Sequence, residues 1–196
     1  MLVLLSKGRL EAFSDGVIAI IITIMVLELK VPHGSDLHAL RPLLPVFLSY
    51  VLSFVFIAIY WNNHHHMLHA AERINGNILW ANTHLLFWLS LVPFATAWIG
   101  ESHLAPLPTA TYGVVMVGAA IAYTILQILI VRHHGKDHKL GRAIGKNTKE
   151  RASLALYVAA VPLAFVSSWV SVGIYVAVAL IWFVPDRRIE SVLNLR

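Results

Sequence analysis

The chain has 196 residues, of which 58% are hydrophobic and 13% charged, with a mean hydropathy of +0.72. A water-soluble domain carries about a quarter charged residues, so this chain has too little polar surface to cover itself in water, and lipid is its natural solvent. The net charge of +5 does not indicate nucleic acid, because the basic residues sit in connections between apolar runs, as topology signals do. The absence of cysteine removes disulfides and thiolate metal sites.

A helical span needs about 20 mostly apolar residues, and six stretches qualify as candidates. The first covers residues 9–29. Lys7 and Arg9 precede it, but the run contains Glu28 and lacks an A-x-A cleavage site before polar sequence, so it reads as a retained span. The second covers residues 43–61 and continues through the histidines that follow; Pro32, Pro42 and Pro45 bracket the connection before it. The third covers residues 77–99 and the fourth residues 112–131, with Pro106 and Pro108 between them. The fifth (residues 152–168) and sixth (170–184) are short and divided only near Ser167, Ser168 and Trp169, which predicts a tight helical hairpin ended by Pro185. Pro93 and Pro162 fall inside apolar runs and are expected to kink or break their helices. The expected architecture is an all-α membrane protein, a single six-span domain over residues 1–196.

Orientation follows from Lys and Arg. With both termini cytoplasmic, the outside segments hold only Lys30 and Arg41 of the 15 basic residues, a strong positive-inside bias. The expected location is the cell membrane, crossed several times, with both termini in the cytoplasm. Trp61, Trp80, Trp98 and Trp169 fall near span ends, as an aromatic belt requires, whereas Trp88 is expected to pack internally.

The first span is the informative one. Arg9, Glu11, Ser14 and Asp15 occupy its first two turns, and charge at that depth faces a partner or water. Beyond Asp15 the helix is almost wholly apolar. Phe13, Gly16, Ile20, Thr23 or Ile24, and Leu27 recur at spacings of three and four and share one face. On spacing alone such a stripe serves helix packing more often than a pore.

The second span ends in Tyr60-Trp61-Asn62-Asn63-His64-His65-His66-Met67-Leu68-His69. His65 and His69 stand four apart, as metal ligands on a helix do, but no H-E-x-x-H follows, and a hydrated helix end is the plainer reading. Asn82 and His84 lie inside the third span and Gln127 inside the fourth; intramembrane polar groups face the protein interior. The basic connection over residues 132–151, with His133, His134 and His138, reads as solvated and close to anionic lipid. There is no Walker A motif, no G-x-S-x-G and no pair of deep carboxylates, so the chain is not expected to be an enzyme.

The segment Arg9-x-x-x-Phe13-Ser14-Asp15, followed by Gly16 and a long apolar helix, resembles the signature of the transmembrane protein 175 family, the endolysosomal potassium channels and their prokaryotic homologues. The resemblance implies six helices per unit, a homotetramer in the bilayer, and helix 1 lining a central pore for monovalent cations. It implies a constriction at Ile20, Ile24 and Leu27, with Thr23 beside it, in place of a carbonyl filter; the chain has no Thr-Val-Gly-Tyr-Gly. It further implies that Arg9, Ser14 and Asp15, with Phe13 in the motif, form a network with Trp61 and Asn63 or His64 that holds the pore helix. Potassium is then the permeant ion, with no cofactor. A proton-coupled transporter using His84 and Asp15 is the competing expectation.

Overall fold

The computed structural model describes residues 7–134 and 148–183. Expectations that rest on Pro185, on His138 and on the basic residues beyond those limits lie outside the described residues. All regular structure within them is helical: α1 (Lys7–Leu27), a 3-10 turn (Leu37–Leu43), α2 (Leu44–Ala70), α3 (Gly76–Ser90), α4 (Val92–Glu101), α5 (Pro106–His134), α6 (Thr148–Leu163) and α7 (Ser168–Phe183).

The helix ends follow from local chemistry. The Asp36 carboxylate accepts the Ala39 N–H at 3.1 Å and starts the 3-10 turn, and the Asn75 side chain accepts the Ile78 N–H at 3.0 Å and starts α3. Pro45 stands in the first turn of α2, where its missing N–H has no intrahelical partner to lose. Pro93 acts as the sequence predicts. It cannot donate to the carbonyl four residues back, so the third rod breaks at Leu91 and restarts as α4 with Pro93 in its first turn. Pro162 is followed by only one more helical residue before α6 ends. Residues 164–167 then turn the chain into α7, and the Ser171 hydroxyl staples the hairpin by donating to the Ala160 carbonyl at 2.7 Å.

Among the described residues, four stretches are long and apolar enough to cross a membrane: Lys7–Leu27, Leu37–Ala70, Gly76–Glu101 and Pro106–His134. The hairpin helices α6 and α7 have 16 residues each. At about 1.5 Å per residue that is about 24 Å, short of the roughly 30 Å hydrocarbon core, so by length the last two expected spans are marginal.

The centre of the bundle is α5, which packs against α3, α4, α6 and α7. Small residues let the helices approach. A Cβ on Gly118 would collide with the ring of Trp88 on α3, and one on Gly113 with the Tyr175 hydroxyl on α7. Trp88 therefore packs internally, as expected from its position mid-span. Gly118→Val is predicted to push Trp88 out of its seat and lower stability by about 1–3 kcal/mol, the usual cost of overpacking; a drop in the midpoint of thermal unfolding checks it. A buried polar cluster ties α2, α4, α5 and α7 together: Thr96 donates to Ser53 at 2.7 Å, Ser53 and Tyr112 share a 3.0 Å bond, and Tyr175 donates to the Thr109 carbonyl at 3.0 Å.

Candidate pore helix and its polar support

Helix α1 packs against α2, α3 and α4 along one face only. Leu10, Ser14, Ile18, Ile21 and Met25 are buried, at spacings of four, four, three and four. At about 100° per residue these form one stripe, and the positions between them turn outward. Phe13, Ile20, Ile24 and Leu27 are 56%, 58%, 42% and 79% exposed. A Cβ added at Gly16 would meet nothing within 4 Å. Thr23 lies on the outward face and its hydroxyl donates back to the Ile20 carbonyl at 2.9 Å. Apolar bulk and one hydroxyl are thus presented away from the chain's own core.

Three side chains hold the buried face. Ser14 donates to the Leu10 carbonyl at 2.8 Å and accepts the Asn82 amide N–H at 2.9 Å. The Asn82 carbonyl oxygen lies 2.6 Å from His64 Nε2. Because that oxygen can only accept, Nε2 carries the proton. Ser14 and Asn82 are fully buried and His64 is nearly so, so one chain of bonds joins α1, α3 and α2 inside the bundle. Beside it, the Trp61 indole donates to Asp15 Oδ1 at 3.0 Å. Trp61 stacks on His65 with centroids 5.8 Å apart, and His65 stacks on His69 at 6.1 Å. Lys7 donates to the His69 carbonyl at 2.9 Å and lies 3.7 Å from Glu11, so a cation at the start of α1 caps the C-terminal end of α2.

Of the residues expected in the support network, Ser14, Asp15, Trp61 and His64 are joined to partners on another helix. Three are not. Asn63 donates to the Ile59 carbonyl of its own helix at 2.8 Å, which turns its amide away from α1. Arg9 and Phe13 are exposed on the outward side of α1, where among the described residues neither meets Trp61 or His64. The residue that sequence reasoning left out is Asn82, the link between Ser14 and His64. Its signal was available: Ile78, Asn82, Leu85 and Leu89 are the buried stripe of α3, and Asn82 stands on it. His84 is off that stripe, exposed, and accepts the Trp88 indole N–H at 3.0 Å. Among the described residues no hydrogen bond links His84 to Asp15, so the structure does not bring the expected proton-relay pair together.

At the other end of α1, Lys30 and Glu101 form a 2.6 Å ion pair between the α1 connection and the end of α4. The Glu101 hydrogen bond, then its charge, with Glu28 adding, hold the exposed Lys30 ammonium above its ordinary pKa. Among the described residues no three His, Asp or Glu side chains converge as metal ligands would.

The family model described as endosomal/lysosomal potassium channel TMEM175 matches residues 9–93, the stretch holding α2, α3, all but the first two residues of α1, and Ser14, Asp15, Trp61, His64 and Asn82. A protein described as a potassium channel from Chryseobacterium sp. is 56% identical over 190 residues, spanning 97% of this chain and 99% of that one. The chain belongs to the TMEM175 family. A second relative, described as a potassium channel from Streptomyces collinus, is 35% identical over 188 residues, with 89% and 90% of the two chains covered. The crystal structure described as a lysosomal potassium-selective channel TMEM175 homolog from Chamaesiphon minutus superposes with a TM-score of 0.80 at 33% identity, over 92% of this chain and 97% of that one. TMEM175 membership and four long apolar helices make the chain a multi-pass helical membrane protein of a channel family.

Proposed function

We propose that this chain is a potassium-permeable channel, with residues 1–196 forming one six-span unit, four copies around a central path, and both termini in the cytoplasm. In this reading α6 and α7 complete the six crossings, their shortness being met by local bilayer thinning. The relatives described as potassium channels support the ion. The observation that carries the geometry is the outward apolar stripe of α1, which stays exposed among the described residues.

Four such stripes facing one axis make a hydrophobic constriction at Ile20, Ile24 and Leu27. A narrow apolar ring empties of water and blocks ions without any moving plug. Rotation or tilt of α1 that widens the ring lets water, and then cations, through. Thr23, beside the narrowing, offers the one hydroxyl on that stretch to an ion that has shed part of its shell. Potassium holds its water less tightly than sodium, so dehydration at the ring favours potassium, by less than a full ladder of carbonyls would. The Ser14–Asn82–His64 chain and the Trp61–Asp15 bond fix the inner half of α1 against α2 and α3, so that motion concentrates where the stripe narrows the path.

The test is a planar-bilayer recording of the purified protein under a potassium-to-sodium gradient. The account predicts cation current whose reversal potential lies on the potassium side. Absence of current in every gradient, or current with no preference for cations over anions, contradicts it.

A further inference from the structure

A groove between α2 and α7 contains no residue of the outward α1 stripe. Leu48, Val51 and Val55 form one wall and Trp169, Val176 and Phe183 the other, around a volume of about 660 Å³. Ser49 and Tyr112 also border it, but their hydroxyls are engaged within the protein, with the Pro45 carbonyl at 2.9 Å and with Ser53 at 3.0 Å. The interior of the groove therefore offers apolar contact and little else.

Its α2 wall matches one leaflet, while the α7 wall, from Trp169 to Phe183, advances 14 residues, about 21 Å, and runs deeper. From Leu44 to Val55 the α2 wall advances 11 residues, about 17 Å at 1.5 Å per residue, against about 15 Å for half of a 30 Å hydrocarbon core. The exposed Trp169 stands with Leu44 and His103 along its lining, and an indole at a helix end belongs at the headgroup level.

A second cavity, of about 380 Å³, adjoins the Leu44 end and mixes the polar side chains of Glu28, Lys30, Glu101 and His103 with Pro42, Leu43, Val46 and Gly100. His103 lines both cavities. Between them α4 meets α2 at backbone distance, since a Cβ on Gly100 would sit 2.8 Å from Val46 Cα. The turn that follows is strained. His103 and Leu104 have φ of 51° and 62°, a left-handed conformation that costs about 1–3 kcal/mol for a residue with a side chain and gathers at ligand clamps. That turn sets Leu104 in the wall of the apolar groove and His103 at the rim shared with the second cavity.

An apolar slot whose α2 wall has one leaflet's length, sharing His103 at its rim with a cavity that holds two carboxylates, one ammonium and one imidazole, is complementary to a zwitterionic amphiphile. The geometry points to a bound phospholipid with a primary-amine headgroup: an acyl chain lies between α2 and α7, the phosphate meets Lys30 and His103, and the ammonium meets Glu28. Glu101 already pairs with Lys30, which leaves Glu28 as the carboxylate for the amine and disfavours an anionic headgroup without one. The inference uses the reading that α2 and α7 lie in the bilayer, and it is independent of which ion the protein conducts.

The full chain is reconstituted into liposomes of equal phosphatidylethanolamine and phosphatidylglycerol, re-extracted in mild detergent and weighed by native mass spectrometry. Wild type is expected to retain phosphatidylethanolamine in preference to phosphatidylglycerol. Val176→Trp, at a side chain 41% exposed, fills the groove and is expected to lose the adduct while keeping its thermal midpoint and potassium flux. Glu28→Lys leaves the groove intact and is expected to reverse the preference toward phosphatidylglycerol. Absence of any retained phospholipid, equal retention of the two in wild type, or retention of phosphatidylethanolamine unchanged in both variants overturns the proposal. So does a covalent dimer formed in the membrane by Val176→Cys, in an otherwise cysteine-free chain, which would give the groove to a second copy instead.

Discussion

Ile20→Asn is expected to raise potassium flux through the reconstituted protein by about tenfold or more, with the assembly still intact on size exclusion. The substitution replaces a branched apolar side chain by an amide at every copy of the ring. A wetted ring gains hydrogen bonds where the native ring offers none, and lowering the barrier by only about 1.4 kcal/mol gives a tenfold rate. Leu27→Ala removes bulk without adding polarity and is expected to act in the same direction by a smaller factor. The control is the buried face of the same helix. Ile18 is 2% exposed, so Ile18→Asn buries an amide among α2, α3 and α4 and is expected to destabilise the fold without opening a path. Unchanged flux in both Ile20→Asn and Leu27→Ala counts against the constriction.

Asn82→Leu is expected to be the most damaging single change to the support of α1. It removes the acceptor for His64 Nε2–H and the donor to Ser14 together. A single interhelical bond in a membrane is worth about 0.6 kcal/mol on average, but a buried donor left without a partner costs about 1–3 kcal/mol, and the second effect dominates because His64 is 2% exposed. For a chain of this size that lowers the unfolding midpoint by several degrees, at about 2–4 °C per kcal/mol. With α1 no longer tied to α3, flux changes as well. Trp61→Phe breaks a bond at a side chain 43% exposed, where water or lipid headgroups replace the lost partner, so its effect on stability is smaller. A midpoint for Asn82→Leu equal to that of wild type would remove the network from the account.

Much of this was legible before any coordinates. That Phe13, Gly16, Ile20, Ile24 and Leu27 share one face reads from their spacing, but spacing alone favoured helix packing for it; the pore role came from the family resemblance, and the outward direction from the exposures of these side chains. The break at Pro93 follows from backbone chemistry alone, whereas the sequence put the hairpin division near Ser167, Ser168 and Trp169 and the structure turns earlier, over 164–167, one residue after the helix that Pro162 shortens ends at Leu163. The choice among His64, His65 and His66 did not read off, because three adjacent imidazoles look equivalent until register is imposed. Ile57, His64 and Leu68 then fall on the buried face of α2 and single out His64. Asn82 was visible as a polar residue in a span, and its spacing from Ile78, Leu85 and Leu89 gave its direction, but His84 two residues later carried the more conspicuous chemistry and drew the reading. The left-handed turn at His103 and Leu104 has no sequence signature, as neither residue is a glycine or an asparagine that would announce it. The lengths of α6 and α7 were the least readable, because composition marks a helix as apolar without fixing where it ends.

The central claim, that the outward stripe of α1 faces an ion path and not lipid, has a direct measurement. The chain has no cysteine, so Ile20→Cys, Ile24→Cys and Leu27→Cys can each be tested with a charged, water-soluble thiol reagent during potassium recording, beside Val158→Cys on α6, a side chain 53% exposed and remote from the stripe in sequence. The account predicts that modification stops or sharply reduces current at positions 20, 24 and 27 and leaves it unaltered at position 158. Current that stays constant at all three stripe positions, while the reagent is shown by mass to have no access to them in the open channel, would place that face against lipid and contradict the account.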